Sequence, residues 1–293
     1  MKTPGITLAI LVLLSTIISQ PSTCSASTTI DSVNRYAYAA NLGWLDCHAD
    51  GANGAVIGAY VCSGYLYSPN AGWINLGSGS PTNRIRYQNL SANDFGVNQD
   101  GLGNLSGYAW GANIGWLTFT NLGLPRINLR TGNLSGYVWS ANCGWISLSN
   151  TVAYVQTDTI SPGTLDTNGL PIAWELTWFG QTGLNPAADP TGKGMTLLQD
   201  YLAGTDPNNP DSLLRITSES LSPGGTSASL TWASVPTRLY TIQKTLNLDP
   251  SAWTDSGLGL ISPSGESVTT AGFTDTNAPL RLYRVQAIRP LTP

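Results

Sequence analysis

Charge is scarce in this chain. Only 10 % of its 293 residues are Asp, Glu, Lys or Arg, and the formal net charge is −4. Phosphate binding needs clustered Lys and Arg, so nucleic acid is not an expected partner. Histidine is scarcer still: His48 stands alone, beside Cys47 and Asp50. Zinc ligation or Ser-His-Asp chemistry would have to rest on that one imidazole. The packing explanation for Cys47, given below, makes a structural His48 the expected one. The one long apolar run, Ile6–Ile18, is too short for a bilayer span, and nothing as long follows it. With Lys2 before it and Cys24-Ser25-Ala26 after it, the run reads as a secretory signal peptide, residues 1–26. The last residues, Arg289–Pro293, show neither apolar tail nor wall-sorting motif.

Some things are plentiful. The chain is 41 % hydrophobic and has ten tryptophans, which is not a disordered composition. Low charge with abundant Gly, Ser, Thr and Asn fits an exported β-protein. The length beyond the signal suits two or three domains.

The strongest signal is a refrain met four times: Tyr36–Leu45, Tyr65–Ile74, Tyr108–Leu117 and Tyr137–Ile146. Its closing tryptophans are Trp44, Trp73, Trp116 and Trp145, spaced by 29, 43 and 29 residues. Such repetition sets the architecture. In the third copy, Tyr108 and Trp110 share one face of an extended chain while Ala109 points the other way. Gly111–Gly115 then breaks the run with residues that tolerate positive φ, and Trp116–Phe119 resumes it. Each copy is therefore a β-hairpin with aromatics on both arms. A further strand is expected before each later hairpin, at Ala55–Val61, Phe95–Asn98 and Arg126–Leu129. A closed, a sandwiched or a stacked sheet all fit this pattern. Equivalent rings in every copy suit a scaffold, so the rings are expected to bury against one another. The competing reading is glycan stacking on exposed rings such as Trp110 and Trp139.

Cys47 fills the slot of Leu76, Phe119 and Leu148, and Cys62 that of Leu105 and Leu134. Both flank one connection between copies, and export permits oxidation. A Cys47–Cys62 disulfide is expected, contributing about 3 kcal/mol. Cys143, in the slot of Leu42, Ala71 and Ile114, reads as an odd, partly buried thiol.

Composition changes after Thr157. Against the twelve-residue calcium loop, Thr164 falls at position 1, Asp166 at 3, Asn168 at 5, Gly169 at 6 and Glu175 at 12. A second register places Asp189, Thr191, Lys193, Gly194 and Asp200 likewise. Short helices are expected at Ile172–Phe179 and Met195–Ala203, each with a stopping glycine, Gly180 and Gly204. The stretch Gly169–Glu175, Asn185-Pro186, Asp189 and Gly194–Pro207 resembles a calcium-loop module of bacterial exported proteins, similar to dockerin and thrombospondin type 3 repeats. The resemblance implies calcium held by the loop carboxylates Asp166, Glu175, Asp189 and Asp200. Thr164 at position 1 and Lys193 at position 5 depart from the pattern and predict weak or vestigial sites.

Beyond Pro207–Pro210 the chain alternates again, at Leu230/Trp232, Tyr240/Ile242 and Tyr283/Val285/Ala287. Six or seven short strands suggest a β-sandwich. Leu230-Thr231-Trp232, Val235-Pro236 and Tyr240–Gln243 loosely resemble a fibronectin type III module, which implies adhesion or spacing.

The whole reads as a mainly β protein. Residues 27–157 form a four-unit repeat domain, 158–211 a calcium-loop connector and 212–293 a sandwich. Three functions fit, in this order: a non-catalytic secreted or cell-surface adhesion protein with other surface proteins as partners, a polysaccharide-binding protein, and a glycoside hydrolase. The last would need two carboxylates across a cleft. The acids of the repeats, Asp46, Asp50, Asp94 and Asp100, fall in turns instead.

Overall fold

Every copy of the refrain folds as one hairpin, and the four hairpins close into a barrel. The computed structural model describes residues 28–222, 225–247, 252–275 and 281–292. The expected signal peptide lies outside them. The described chain is mainly β, and it divides into two units. One comprises residues 28–185 with 290–292; the other is Pro186–Arg289.

In the first unit the hairpins are β1 (Ile30–Ala39) with β2 (Gly43–Asp46), β3 (Ser63–Ser68) with β4 (Gly72–Ser78), β6 (Leu105–Gly111) with β7 (Gly115–Phe119), and β10 (Tyr137–Ser140) with β11 (Gly144–Ser147). Neighbouring hairpins pair edge to edge, and β11 returns to β1, so eight antiparallel strands close without an edge. Of the three forms open to the sequence, the closed one is therefore the fold. At each junction the pairing slips two residues toward the hairpin tips: Tyr36 faces Asp46, which faces Tyr67, the counterpart of Tyr38. The same slip recurs at the other three junctions. Four slips make a shear of eight, for which an eight-stranded barrel tilts its strands by about 36°.

Such a barrel holds side chains and little else. Leu45, Ile74, Leu117 and Ile146 form one buried layer, one residue from each copy. Ala37, Leu66, Ala109 and Val138 form another, and Cys47, Leu76, Phe119 and Leu148 a third. Leu42, Ala71, Ile114 and Cys143 point in from the hairpin tips and join the same core.

Each tip is a three-residue loop followed by a glycine at positive φ, and in the first three copies a 3.2 Å turn bond such as Leu42 N–H to Ala39 O closes it. Gly43, Gly72, Gly115 and Gly144 have φ between 70° and 82°, which L side chains rarely adopt. The asparagine before them has another task. Asn70 Nδ2 donates to Leu42 O at 2.9 Å, Asn113 to Ala71 O at 3.1 Å, Asn142 to Ile114 O at 3.0 Å and Asn41 to Cys143 O at 3.3 Å. Each tip thus grips the preceding one, and the cycle closes. A second glycine, Gly64, Gly107 or Gly136, precedes the tyrosine in the later copies. There a Cβ would fall 2.1–2.3 Å from a crossing carbonyl, so only glycine fits.

The connecting segments add β5 (Val97–Gln99), β8 (Arg126–Ile127) paired with β9 (Leu134–Ser135), and β12 (Val155–Thr157), which pairs with β1. The expected strand at Ala55–Val61 reduces to isolated bridges at Val56, Gly58 and Val61. Helix α1 (Ile172–Phe179) belongs to this unit and ends at Gly180, φ 67°.

In the second unit, helix α2 (Leu197–Ala203) starts from Thr196, whose hydroxyl caps the Gln199 N–H while the Gln199 side chain caps Thr196, and ends at Gly204. Two three-stranded antiparallel sheets follow. One orders β13 (Ile216–Leu221), β14 (Ser227–Ala233) and β17 (Val268–Thr274); the other β16 (Thr254–Asp255), β15 (Leu239–Thr245) and β18 (Leu282–Ile288). Leu230, Trp232, Tyr240, Ile242 and Phe273, drawn from both sheets, share one core with Met195 and Ala203.

Candidate functional site

The repeat aromatics are not in the core. With the aliphatic residues facing in, alternation sends Tyr36, Tyr38 and Trp44 and their counterparts outward. Eleven of these twelve rings are 38–50 % exposed. This corrects the expectation of mutually buried rings. The barrel interior accepts Ala37, Ala39, Ala109 and Gly111 but has no room for twelve rings. The rings do touch one another, on the outside. Each closing tryptophan packs edge-on against the two aromatics of the first arm: Trp44 against Tyr38 (4.9 Å) and Tyr36 (6.2 Å), Trp116 against Trp110 (4.7 Å) and Tyr108 (6.0 Å). The second and fourth copies repeat the trio, with Tyr67 tilted against Trp73 in the second. Phe95 adds a fourth ring on Trp116 at 5.1 Å.

Strand register lays these rings out in four slanting stripes. One runs Tyr36, Asp46, Tyr67, Trp73. The next are Tyr65, Asn75, Trp110, Trp116 and then Tyr108, Thr118, Trp139, Trp145. The last is Tyr137, Ser147, Tyr38, Trp44. Every stripe crosses four strands, roughly 14 Å at ordinary strand spacing. It carries three rings and one small polar residue, and it draws on two successive copies. Trp110 and Trp139, the two rings singled out by sequence, occupy equivalent places, each 39 % exposed. Only the first stripe holds charge, an Arg35–Asp46 ion pair at 3.2 Å with the guanidinium 5.1 Å over Tyr36.

The acids among the repeats are engaged in turns. Asp50 accepts from the Ala52 and Asn53 backbone, and Asp100 from Leu102 and Asn104. Asp94 accepts from the Thr82 and Gln88 N–H groups, which hold its carboxyl below the usual range. The expected Cys47–Cys62 disulfide is not formed. Cys47, Cys62 and Cys143 are all free and buried. Each of the first two thiols fills its apolar slot as the repeat pattern requires, and burial pushes both up to about 12. His48 Nδ1 is buried without a hydrogen-bond partner.

The first loop brings its two carboxylates together. Asp166 Oδ1 accepts the Asn168 and Leu170 N–H groups at 2.9 Å, an Asx turn that shapes the loop. Glu175, completely buried in α1, accepts the Leu184 N–H at 2.8 Å through Oε1. Asn168 Nδ2 donates to Leu184 O at 3.2 Å. Two oxygens are left buried without a donor: Asp166 Oδ2 and Glu175 Oε2. Burial first, and the neighbouring Asp166 as well, raise the Glu175 carboxyl above its ordinary value. One buried oxygen without a donor on each carboxylate could face a cation, although among the described residues no group of three or more His, Cys, Asp or Glu side chains gathers to hold a metal.

The second loop, in the other unit, is arranged differently. Both Asp189 oxygens are used, by Lys193 N–H (3.2 Å) and Gly194 N–H (2.7 Å). Asp200 Oδ1 accepts from the Lys193 ammonium at 2.8 Å and from the Thr205 hydroxyl at 2.5 Å. Thr191 Oγ1 and Asp200 Oδ2 have no hydrogen-bond partner. The carboxylates of the two loops lie in different units, so sequence adjacency does not make them one described site.

Fold and surface together define a class: a closed four-copy repeat barrel with an external belt of aromatic stripes. No family model, curated protein or solved structure matches the chain.

Proposed function

We propose that this is a non-catalytic protein of the cell surface or its surroundings, and that the barrel exterior grips polysaccharide. One observation carries the reading: four matching stripes of Tyr and Trp, eleven of their twelve rings exposed, each stripe with a small polar residue set among the rings. The apolar face of a sugar ring stacks on such aromatics, while Tyr hydroxyls, Trp N–H groups and Asn75, Thr118 or Ser147 offer partners for its hydroxyls. Three of the four stripes are uncharged at the polar position, which suits a neutral glycan. The stripe length matches a short stretch of extended chain. Four copies make binding multivalent, so weak single contacts add to useful avidity. The described acids of the repeats are held by turn hydrogen bonds, which supports ranking the hydrolase reading last.

No helix among the described residues is long and apolar enough to cross a membrane. The barrel strands after β1 run four to seven residues. A membrane strand needs about nine to eleven. These lengths support reading the aromatic belt as a ligand surface rather than a lipid girdle. Export by the expected signal peptide, and adhesion or spacing by the C-terminal sheets as a fibronectin type III-like sandwich, belong to the same proposal.

A second reading concerns calcium. The buried oxygens of Asp166 and Glu175 favour a cation in the first loop, with Asn168 as the neighbouring ligand. Calcium there would fix the loop against α1 and contribute no chemistry. The glycan reading is tested by pull-down on a panel of neutral and acidic polysaccharides, with tryptophan fluorescence recorded on binding. Retention and quenching that fail in Trp110→Ala/Trp139→Ala support it. No retention on any glycan, or equal retention by the double variant, would refute it.

A further inference from the structure

We infer that the cation of the second loop is the chain's own: the Lys193 ammonium satisfies the carboxylate a metal would otherwise neutralise, so this loop is a metal-independent clasp. The inference does not rest on the glycan reading. Lys193 stands where a calcium loop has its position-5 ligand, which is why the sequence pattern suggests a damaged metal site. The side chain is 1 % exposed and that of Asp200 is 0 % exposed, with nitrogen and oxygen 2.8 Å apart. An ammonium has three protons to give. Here it meets four acceptors: Asp200 Oδ1, Asp206 O at 2.6 Å, Ser212 O at 3.1 Å and Asn209 O at 3.4 Å. One carboxylate and a set of carbonyls is the oxygen shell that a hard cation recruits.

The rest of the loop leaves little for a metal. Both Asp189 oxygens already accept loop N–H groups. Of the two oxygens left without partners, Thr191 Oγ1 and Asp200 Oδ2, only one belongs to a carboxylate, and that carboxylate already holds the ammonium, whereas the first loop leaves an oxygen free on each of two carboxylates. A divalent ion on Asp200 Oδ2 would also face the ammonium on the same carboxylate. The lysine does a metal's mechanical work too. It ties the loop and the first turn of α2 to the turn at 206–212.

The test uses the full chain carrying Glu175→Gln, an isosteric change that silences the first loop. Terbium luminescence sensitised by tryptophan and thermal unfolding are measured with calcium and with a chelator. The expected result is no terbium signal and the same melting curve in both. Lys193→Met in that background keeps the stem and deletes the charge, leaving Asp200 buried and unpaired. It should lower the melting of the unit containing α2 by about 10 °C or more, with or without calcium. A Lys193→Met chain too unstable to fold is the same outcome in its extreme form. A calcium-dependent melting shift or a terbium signal in the Glu175→Gln chain that Asp200→Asn removes would overturn the inference. So would a Lys193→Met chain that melts like its parent.

Discussion

Replacing Asn70 with alanine removes one of four bonds that join the hairpin tips into a ring. The lost contact is a side-chain amide on a backbone carbonyl, 2.9 Å long and partly buried. Such a bond contributes about 0.5–1 kcal/mol net. For a unit of this size that is roughly 1–4 °C of melting temperature. Asn113→Ala and Asn142→Ala break bonds of 3.1 and 3.0 Å and should cost about as much. Asn41→Ala breaks the longest, at 3.3 Å, and should cost least. Removing all four should cost about 2–4 kcal/mol, with some coupling because each tip is both donor and acceptor. Urea unfolding of the four single variants and the quadruple variant measures this directly. Four variants indistinguishable from the parent, or one copy carrying the whole loss, would refute the closed ring of equivalent tips.

Leu117, 1 % exposed at the barrel centre, should cost about 2–5 kcal/mol as Leu117→Ala in the same assay; a cost below 1 would contradict an aliphatic core. The thiols of Cys47 and Cys62, pushed up to about 12, should resist a thiol reagent at pH 8 until the chain unfolds. Reductant should leave the melting temperature unchanged, and a fall on reduction would restore the disulfide. Glu175 is raised in the folded state by burial and then by Asp166. The folded chain therefore binds that proton more tightly than the unfolded chain, and its ionisation destabilises the fold above the ordinary Glu range. Without calcium, wild type should gain stability relative to Glu175→Gln as pH falls from neutrality toward the ordinary Glu range; a relative loss over that descent would refute the buried-carboxylate account.

The hairpins were legible because their determinants are local. The tip glycines and the alternating arms sit within ten residues of each other in every copy. Period-two alternation also showed which residues share a face, but not which face is the inside. Both faces of Tyr108–Gly111 are apolar, and only the bore of an eight-stranded closure selects Ala109 and Gly111 over Tyr108 and Trp110. The Asn41–Cys143 clasp joins residues 102 apart and leaves no local trace. The Cys47–Cys62 pairing failed because flanking the same connection does not bring two sulfurs together, whereas the repeat slots correctly placed both in the core. In the calcium loops the spacing singled out Asp166 and Glu175 as candidate ligands, and the fold sets Asp166 close enough to raise the Glu175 carboxyl. It also gave Lys193 as a departure, and only the fold shows where the long side chain ends.

Oxidative footprinting of tryptophan, read residue by residue by mass spectrometry, bears most directly on the claim that an aliphatic barrel wears its rings outside as a glycan surface. Trp44, Trp73, Trp110, Trp116, Trp139 and Trp145 should be modified quickly in the native protein, and a bound polysaccharide should shield them. Trp174 and Trp232, at 4 % and 0 % exposure, should be slow throughout. Repeat tryptophans as slow as Trp232 would put the rings back in the core. Fast modification that no glycan slows would leave the barrel intact and contradict its use.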